Sequence, residues 1–440
     1  MKSNNIRELL IGLGPCELAD AILRLASRDD EADRVVRRMV SIPSEKVKAF
    51  KSKLAALKRT RRFIDWRGAS SFAHELDQML DDLEAGCDDP EVGLEQVIAF
   101  FEADEQIFEQ CDDSGGYVGT VFQCSACDLF VRYASDYSDK AHLIDRLMKL
   151  YESDEYGVRV ELIRSTHRFL SKKMLRVLAD RIRQKIREQP YSYHWSNPLA
   201  SIARYLKDAP MYEEALRAAC PQLSLRQYPD IAQAYLETGD AKTALSWMER
   251  AGEYGHSDLM LRIHTGLGNI EKAKETAWQI FHEYRSQDNL TKLLSVIGED
   301  RREQVVADEV RSILSLDSYY DFNATFLIDI GRMDEAECYL LNHSDKLDGG
   351  YYTGLLPMAE SMEKDGRYLA ATVVYRALLD SILARGVSKY YHHGVRYLTK
   401  LDSLDGSIDD WKDFSDHGAY KVLLREAHGR KTAFWSQYGK

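Results

Sequence analysis

The sequence predicts an all-α chain, an α-solenoid of stacked helical hairpins, on three observations. Only nine prolines occur among 440 residues, and they fall at segment edges (15, 43, 90, 190, 198, 210, 221, 229 and 357) with long 3.6-period apolar patterns between them. Period-2 alternation bounded by turn dipeptides, which a half-buried sheet requires, extends over no useful length. The third observation is internal repetition in the second half, at intervals a helix pair can fill. A chain of 440 residues also exceeds what one compact core usually organises, so several domains or one repeat array is expected.

The first expected region, residues 1–67, is a basic helical segment. It carries 16 Lys/Arg against 9 Asp/Glu, whereas the remainder carries 43 against 62, within a net charge of −12. Such a split attracts the front to nucleic acid, to an acidic partner or to the chain's own acidic body. Helices are predicted near 5–12, 15–28, 30–41 and 44–62. In EKVKAFKSKLAALKRTRRFIDWR (45–67), Val47, Phe50, Leu54 and Leu57 form an apolar stripe, and nine Lys/Arg stand against one Glu and one Asp. Lys48, Lys51, Lys58, Arg59, Arg61 and Arg62 are the candidate basic face. Phosphates of nucleic acid, an acidic lipid surface and packing onto a protein are its possible uses.

The second expected region, 68–190, is an irregular set of helices near 68–85, 90–110, 117–135, 139–152, 156–168 and 171–187. Its stretch EQCDDSGGYVGTVF (109–122) lacks the Gly-Lys-Ser/Thr ending of a phosphate loop and the alternating oxygens of a calcium loop. What remains is a helix stop at Gly115–Gly116, with Asp112, Asp113 and Ser114 capping amides of the next helix. The alternative is a ligand turn built from Asp112, Asp113, Ser114, Gly116 and Tyr117, with Tyr156 of the similar turn SDEYG (153–157). Cys124 and Cys127 form one CxxC without a second, so two thiols packed on one helix face are expected, not a metal site. The run SKKMLRVLADRIRQKIR (171–187) holds seven basic residues and one acidic, and is expected to extend the positive face of 34–67. Two prolines and polar aromatics in REQPYSYHWSNPL (187–199) mark the candidate boundary.

The third expected region is 191–440. Four stretches there, beginning at residues 231, 259, 323 and 356, each place a glycine in a turn and an alanine five residues later. The pairs are Gly239 with Ala244, Gly268 with Ala273, Gly331 with Ala336 and Gly366 with Ala371. A glycine there takes left-handed geometry without strain, and the alanine lets the paired helix cross closely. The pattern resembles the tetratricopeptide repeat, with Tyr235 at that family's aromatic position in the first copy. Glycine intervals of 29, 63 and 35 imply a further degenerate unit within 285–320. In the C-terminal DHGAYKVLLREAHGRKTAFW, the stripe Tyr420, Leu424, Phe434 and Trp435 predicts a capping helix, with Arg425, Arg430 and Lys431 in water. His417 and His428, eleven residues apart, stand about 16 Å from each other along such a helix and cannot share a metal.

Together RRFIDWR (61–67), FEQCDDSGGYVGTVF (108–122), SDEYG (153–157) and HGAYKVLLREAHGRKTAFW resemble a bacterial family of uncharacterised helical proteins. That family is similar to the helical region following the zinc finger in bacterial SWIM-domain proteins. The chain lacks the Cys-x-Cys and Cys-x-His of the finger itself. The resemblance implies a helical fold and no particular activity.

Seven cysteines scattered over the chain fit reduced thiols, and no apolar run reaches the roughly 18 residues of a membrane helix. With an Arg-Glu pair interrupting the first apolar run, a cytoplasmic protein is expected. The first functional expectation is a non-enzymatic scaffold, without cofactor or metal, that binds a protein, a peptide or a second copy of itself through the concave face of repeats 200–385. The second is a nucleic-acid-associated regulator using the basic face of 34–67 and 171–187. An enzyme using Asp112 and Asp113 with a metal comes third, because no nucleophile–base pair or ligand spacing accompanies them.

Overall fold

A computed structural model describes residues 10–29, 32–33, 36, 40–60, 62–252 and 256–439. Among them the chain is all-α, a series of helical hairpins, and its β structure is the isolated bridge between Ile64 and Cys111. Contacts divide the chain into two compact units, Met1–Asp240 and Ala241–Lys440.

In the first unit the helices are α1 (Pro15–Ala26), α2 (Pro43–Leu57), α3 (Ala69–Gly86), α4 (Pro90–Phe101), α5 (Asp104–Glu109), α6 (Tyr117–Val121), α7 (Cys127–Asp136) and α8 (Lys140–Glu152). They continue with α9 (Val160–Arg164), α10 (Lys172–Glu188), α11 (Tyr193–Leu206), α12 (Ala209–Ala219) and α13 (Tyr228–Glu237). Their starts follow local chemistry. Proline opens α2 and α4, where a missing N–H costs nothing, and Asp89, Asp139, Ser171 and Asp208 cap the amides of α4, α8, α10 and α12. The apolar stripe of α2 docks on α3, burying Phe50 and Leu54. From Phe50 a series of rings runs inward through Phe100, Phe122, Phe101, Phe130 and Phe169, with successive centroids 4.8–6.5 Å apart.

Among the described residues three helices differ from their sequence-predicted extent, while those expected near 5–12 and 30–41 lie largely outside the described residues. The helix expected over 44–62 ends at Leu57, because Ile64 is drawn into extended pairing with the chain at Cys111. The one expected over 90–110 breaks at Glu102 and Ala103 into α4 and α5, and that expected over 156–168 is α9 followed by a 3-10 turn, Ser165–Arg168. Between α6 and α7 the backbone runs on through a π-turn, Phe122–Ala126. That wider turn separates Cys124 from Cys127 around the helix, so the two thiols do not share a face. Cys124 is exposed, while Cys127 is buried with its Sγ 3.5 Å from Ser165 Oγ. All seven cysteines are unpaired. The aromatic stretch at 191–197 leads into α11 with Trp195 buried, Tyr191 and Tyr193 exposed, and the Tyr151 hydroxyl donating to the His194 carbonyl at 2.7 Å.

The second unit comprises α14 (Ala241–Ala251), α15 (Ser257–Gly266), α16 (Ile270–Glu283), α17 (Gln287–Ile297), α18 (Arg302–Leu314), α19 (Asp321–Asp329) and α20 (Met333–Asn342). It closes with α21 (Tyr352–Lys364), α22 (Tyr368–Arg385), α23 (Tyr391–Asp405), α24 (His417–His428) and α25 (Thr432–Tyr438). The long glycine interval holds α17 and α18, joined through Gly298.

One turn recurs at all four repeat glycines. Gly239, Gly268, Gly331 and Gly366 have φ of 88°, 70°, 74° and 79°. The amide of the residue after each glycine bonds the carbonyl five residues back, on Tyr235, His264, Leu327 and Met362. This is the Schellman closure, which needs left-handed backbone at the glycine. Ala244, Ala273, Ala336 and Ala371 are all buried. The hydroxyl of Tyr235 donates to Glu213 at 2.9 Å, and burial with that carboxylate pushes it up to about 12.

At the C-terminus Tyr420, Leu424 and Phe434 are buried. A Cβ on Gly394 would meet Phe434 at 3.1 Å and Leu379 at 3.3 Å, so α25 reaches α23 where the latter has no side chain. Arg425 stays exposed over the Trp435 ring, and His417 bonds Asp402 at 2.8 Å.

Urea denaturation will separate the two features of the repeat turn. Gly331→Ala should cost about 1–2 kcal/mol through its left-handed backbone alone, since its Cβ meets nothing within 4 Å. Ala336→Leu should cost about 1–3 kcal/mol by overpacking.

Candidate functional site: a basic and aromatic edge

Three of the quoted motifs meet in the first unit. The Ile64 amide donates to the Gln110 carbonyl at 2.7 Å, and the Asp112 amide to the Ile64 carbonyl at 2.9 Å, which ties RRFIDWR to the Cys-Asp-Asp-Ser-Gly turn. The Phe108 ring stacks on Tyr156 of SDEYG at 4.8 Å.

Within the turn, Asp113 straddles the opening of α6, taking the Val118 amide on Oδ1 at 2.9 Å and the Gly119 amide on Oδ2 at 2.8 Å. Asp112 Oδ1 accepts the Ser114 amide at 3.1 Å, and Gly116 has φ 71°. The SDEYG turn repeats the device. Asp154 takes the Val158 and Arg159 amides on its two oxygens at 3.1 and 3.0 Å, and Gly157 has φ 71°. Burial lifts the Asp154 carboxyl above its usual range against those two donors. Both carboxylates therefore act on backbone amides, while Ser114, Tyr117 and Tyr156 remain exposed.

A residue pair that the sequence reading missed holds these turns together. Arg159 and Asp104 are both buried, with Nε to Oδ2 at 2.8 Å and Nη2 to Oδ1 at 2.6 Å. Nη1 donates to the Leu150 carbonyl and to Ser153 Oγ, each at 2.7 Å. The guanidinium is thus met on every side, as a buried charge must be.

Over this frame lies the basic edge. Lys48 and Lys51 project from α2, Lys58 and Arg59 from the turn beyond it, and Arg62 from the extended segment, all exposed. Arg61 lies outside the described residues. Phe63 and Trp66 point outward at 63% and 59% exposure, and the Arg67 guanidinium rests 5.0 Å from the Trp66 ring centre. Among the described residues none of Lys58, Arg59, Arg62 and Arg67 has a carboxylate within 4 Å. Lys58, Arg59, Thr60 and Phe63 form one wall of a cleft of about 610 Å³, and Gln106, Glu109 and Gln110 the other. Gln110 fixes the cleft's depth by donating to the carbonyls of Leu57 and Gln106 at 2.8 and 2.7 Å.

The second basic run behaves differently. On α10, Arg181 pairs with Asp145, Arg183 with Glu214 and Lys185 with Glu152, so three of its cations are engaged by α8 and α12. Among the described residues no three His, Cys, Asp or Glu side chains gather to hold a metal, and no helix is long and apolar enough to cross a membrane. The arrangement can attract negative charge and stack planar groups.

A family model, that of a family of unknown function (DUF6880), matches residues 2–227 and 196–437. The chain belongs to this family. No functionally curated protein matches it. The two matched spans include every motif described above.

In this family member Asp104→Asn should cost about 3–5 kcal/mol in urea denaturation, since it leaves Arg159 buried without its counter-charge. Asp113→Ala should cost about 1–2 kcal/mol as a lost cap. Neither should alter the melting response to divalent metal ions.

Proposed function

We propose that this protein is a non-enzymatic helical-repeat scaffold that binds a protein or peptide partner, or a second copy of itself, through the repeat face of residues 200–385. One observation carries the reading. Tyr284 and Tyr320 are 54% and 47% exposed, and each packs its ring 5.4 Å from Phe322. Tyr284 ends α16 and the other two begin α19, so the cluster draws on helices that flank the pair α17 and α18 in sequence. Tyrosine and phenylalanine concentrate at the cores of protein interfaces, where they bury large area at low entropic cost. In this reading the second unit is tetratricopeptide-like, supported by the recurrent Schellman glycine and its buried alanine. The unpaired cysteines support a cytoplasmic setting. The commitment of Asp112 and Asp113 to backbone amides supports the absence of catalysis there.

A pull-down from native lysate, run with nuclease and at moderate salt, tests the scaffold reading. The wild-type chain is expected to retain a discrete partner that the Tyr284→Ser/Tyr320→Ser variant loses. Equal recovery by a folded variant overturns this surface.

The basic edge favours a second reading, in which the protein associates with nucleic acid. Exposed Phe63 and Trp66 among unpaired cations combine a stacking platform with phosphate contacts, the pairing that single strands require. Fluorescence anisotropy with mixed-sequence single-stranded RNA and DNA at low and physiological salt decides it. Binding that falls steeply with salt, and is weakened about tenfold or more by Arg59→Glu/Arg62→Glu, would establish this reading. Salt-independent or undetectable binding would remove it.

A further inference from the structure

The second unit contains a cleft of about 450 Å³ against α22, lined by Leu347, Val373, Arg376, Asp380, Ser381 and Phe414 among others. Its back wall is rigid. A Cβ on Gly349 would lie 1.9 Å from the Ala377 carbonyl oxygen, so the loop before α21 lies directly on the helix backbone.

Arg376 is 9% exposed. The rings of Trp411 and Tyr420 cover its guanidinium, with centres 4.9 and 4.3 Å from its central carbon, and Nη1 donates to the Ser415 carbonyl at 2.9 Å. Nε and Nη2 have no hydrogen-bond partner. These two nitrogens form one edge of the guanidinium, the side-on fork that matches the two oxygens of a carboxylate. Aromatic rings meet a guanidinium's faces and leave its edge unmet, and a buried N–H without an acceptor is costly. Burial accordingly pulls this guanidinium below its ordinary basicity.

One turn further along α22, Asp380 lines the same cleft. Its Oδ1 accepts the Tyr420 hydroxyl at 2.7 Å. Among the described residues Arg376 and Asp380 form no ion pair within 4 Å, so the two line the same cleft without a direct bond to each other, although each lies in the other's field and Asp405, Asp416 and His428 stand nearby. A simple anion would meet the charge of Asp380, and a simple amine that of Arg376. A ligand carrying both charges satisfies both, and Leu347, Val373 and Phe414 offer an apolar wall to the rest of it.

We propose that this cleft binds a small zwitterion, an α-amino acid with an apolar side chain, its carboxylate on Nε and Nη2 of Arg376 and its ammonium on Asp380. The site is independent of the partner surface proposed above.

Thermal denaturation of the full chain with each apolar α-amino acid, with the matching amine, with the matching carboxylic acid and with inorganic phosphate tests it. At least one amino acid should raise the melting temperature saturably, and the amine, the acid and phosphate should not. Asp380→Asn should weaken that response about tenfold or more. Arg376→Met should abolish it but also removes the contacts to Trp411 and Tyr420, so Ala384→Trp serves as the second variant. Ala384 lines the cleft from an exposed position, and a tryptophan there obstructs it without touching Arg376. No response to any amino acid overturns the proposal, as does a response unchanged in Ala384→Trp. Equal stabilisation by phosphate or by the acid alone overturns the zwitterion assignment and leaves an anion site.

Discussion

The first unit depends on the buried ion pair between Arg159 and Asp104. Two charges out of water are tolerable only when their polar atoms find partners, and here all three guanidinium nitrogens and both carboxylate oxygens do. Because Arg159 also gives its backbone amide to Asp154, the pair fixes the SDEYG turn against the start of α5. α5 in turn carries Phe108 and Gln110, and Gln110 sets the end of α2. The position of the basic edge is thus inherited, contact by contact, from a salt bridge with no exposed part. Replacing the pair by apolar residues of similar volume would preserve burial. The fork that orients the turn would be lost.

The repeat turns, Gly239 at the end of the first unit and Gly268, Gly331 and Gly366 in the second, rest on a local constraint, which is why the sequence disclosed them. A Schellman turn is closed within six residues, and only glycine takes its left-handed position without strain, so φ values near 70–90° at four glycines have a sequence counterpart at fixed spacing. The alanine five residues on is equally legible, because it reports a close crossing by its small size. In the first unit the decisive contacts join residues far apart in the chain. Asp104 and Arg159 are 55 residues apart, and each belongs to an ordinary polar stretch. The end of α2 at Leu57 was illegible for the same reason. Nothing in KRTRRF disfavours helix strongly, and the extended course of Ile64 exists because Gln110 and Asp112 supply its backbone partners. The π-turn also escaped notice, since a helix with one extra residue in a turn keeps its apolar pattern while rotating Cys124 to the surface.

Charge separates the two basic runs in a way composition does not. Both are dense in Lys and Arg, yet α10 lies between α8 and α12, whose carboxylates engage Arg181, Arg183 and Lys185. The edge at 58–67 follows the end of a helix and has no acidic neighbour within ion-pairing distance among the described residues. Its net attraction for anions is therefore local. The rest of the chain carries a net negative charge, which opposes the approach of a long polyanion to the molecule as a whole. That field favours a short or terminal contact over a continuous track.

Polar satisfaction also distinguishes structural from ligand-directed groups. Of Asp112 and Asp113, the most enzyme-like pair in the sequence, Asp113 turns both oxygens and Asp112 its Oδ1 to backbone amides. Arg376 is the opposite case. Seven buried side-chain atoms among the described residues lack a partner, and Arg376 alone supplies two of them, adjacent and coplanar. A single unmet atom, as on Thr372 or His417, is readily the result of a rotamer or tautomer. Two on one rigid fork, held by the Trp411 and Tyr420 rings and by the Ser415 carbonyl, cannot be relieved by rotation without disturbing those contacts. The ordering of the guanidinium is therefore complete before any ligand arrives, and that preorganisation is what makes a small binding partner energetically accessible.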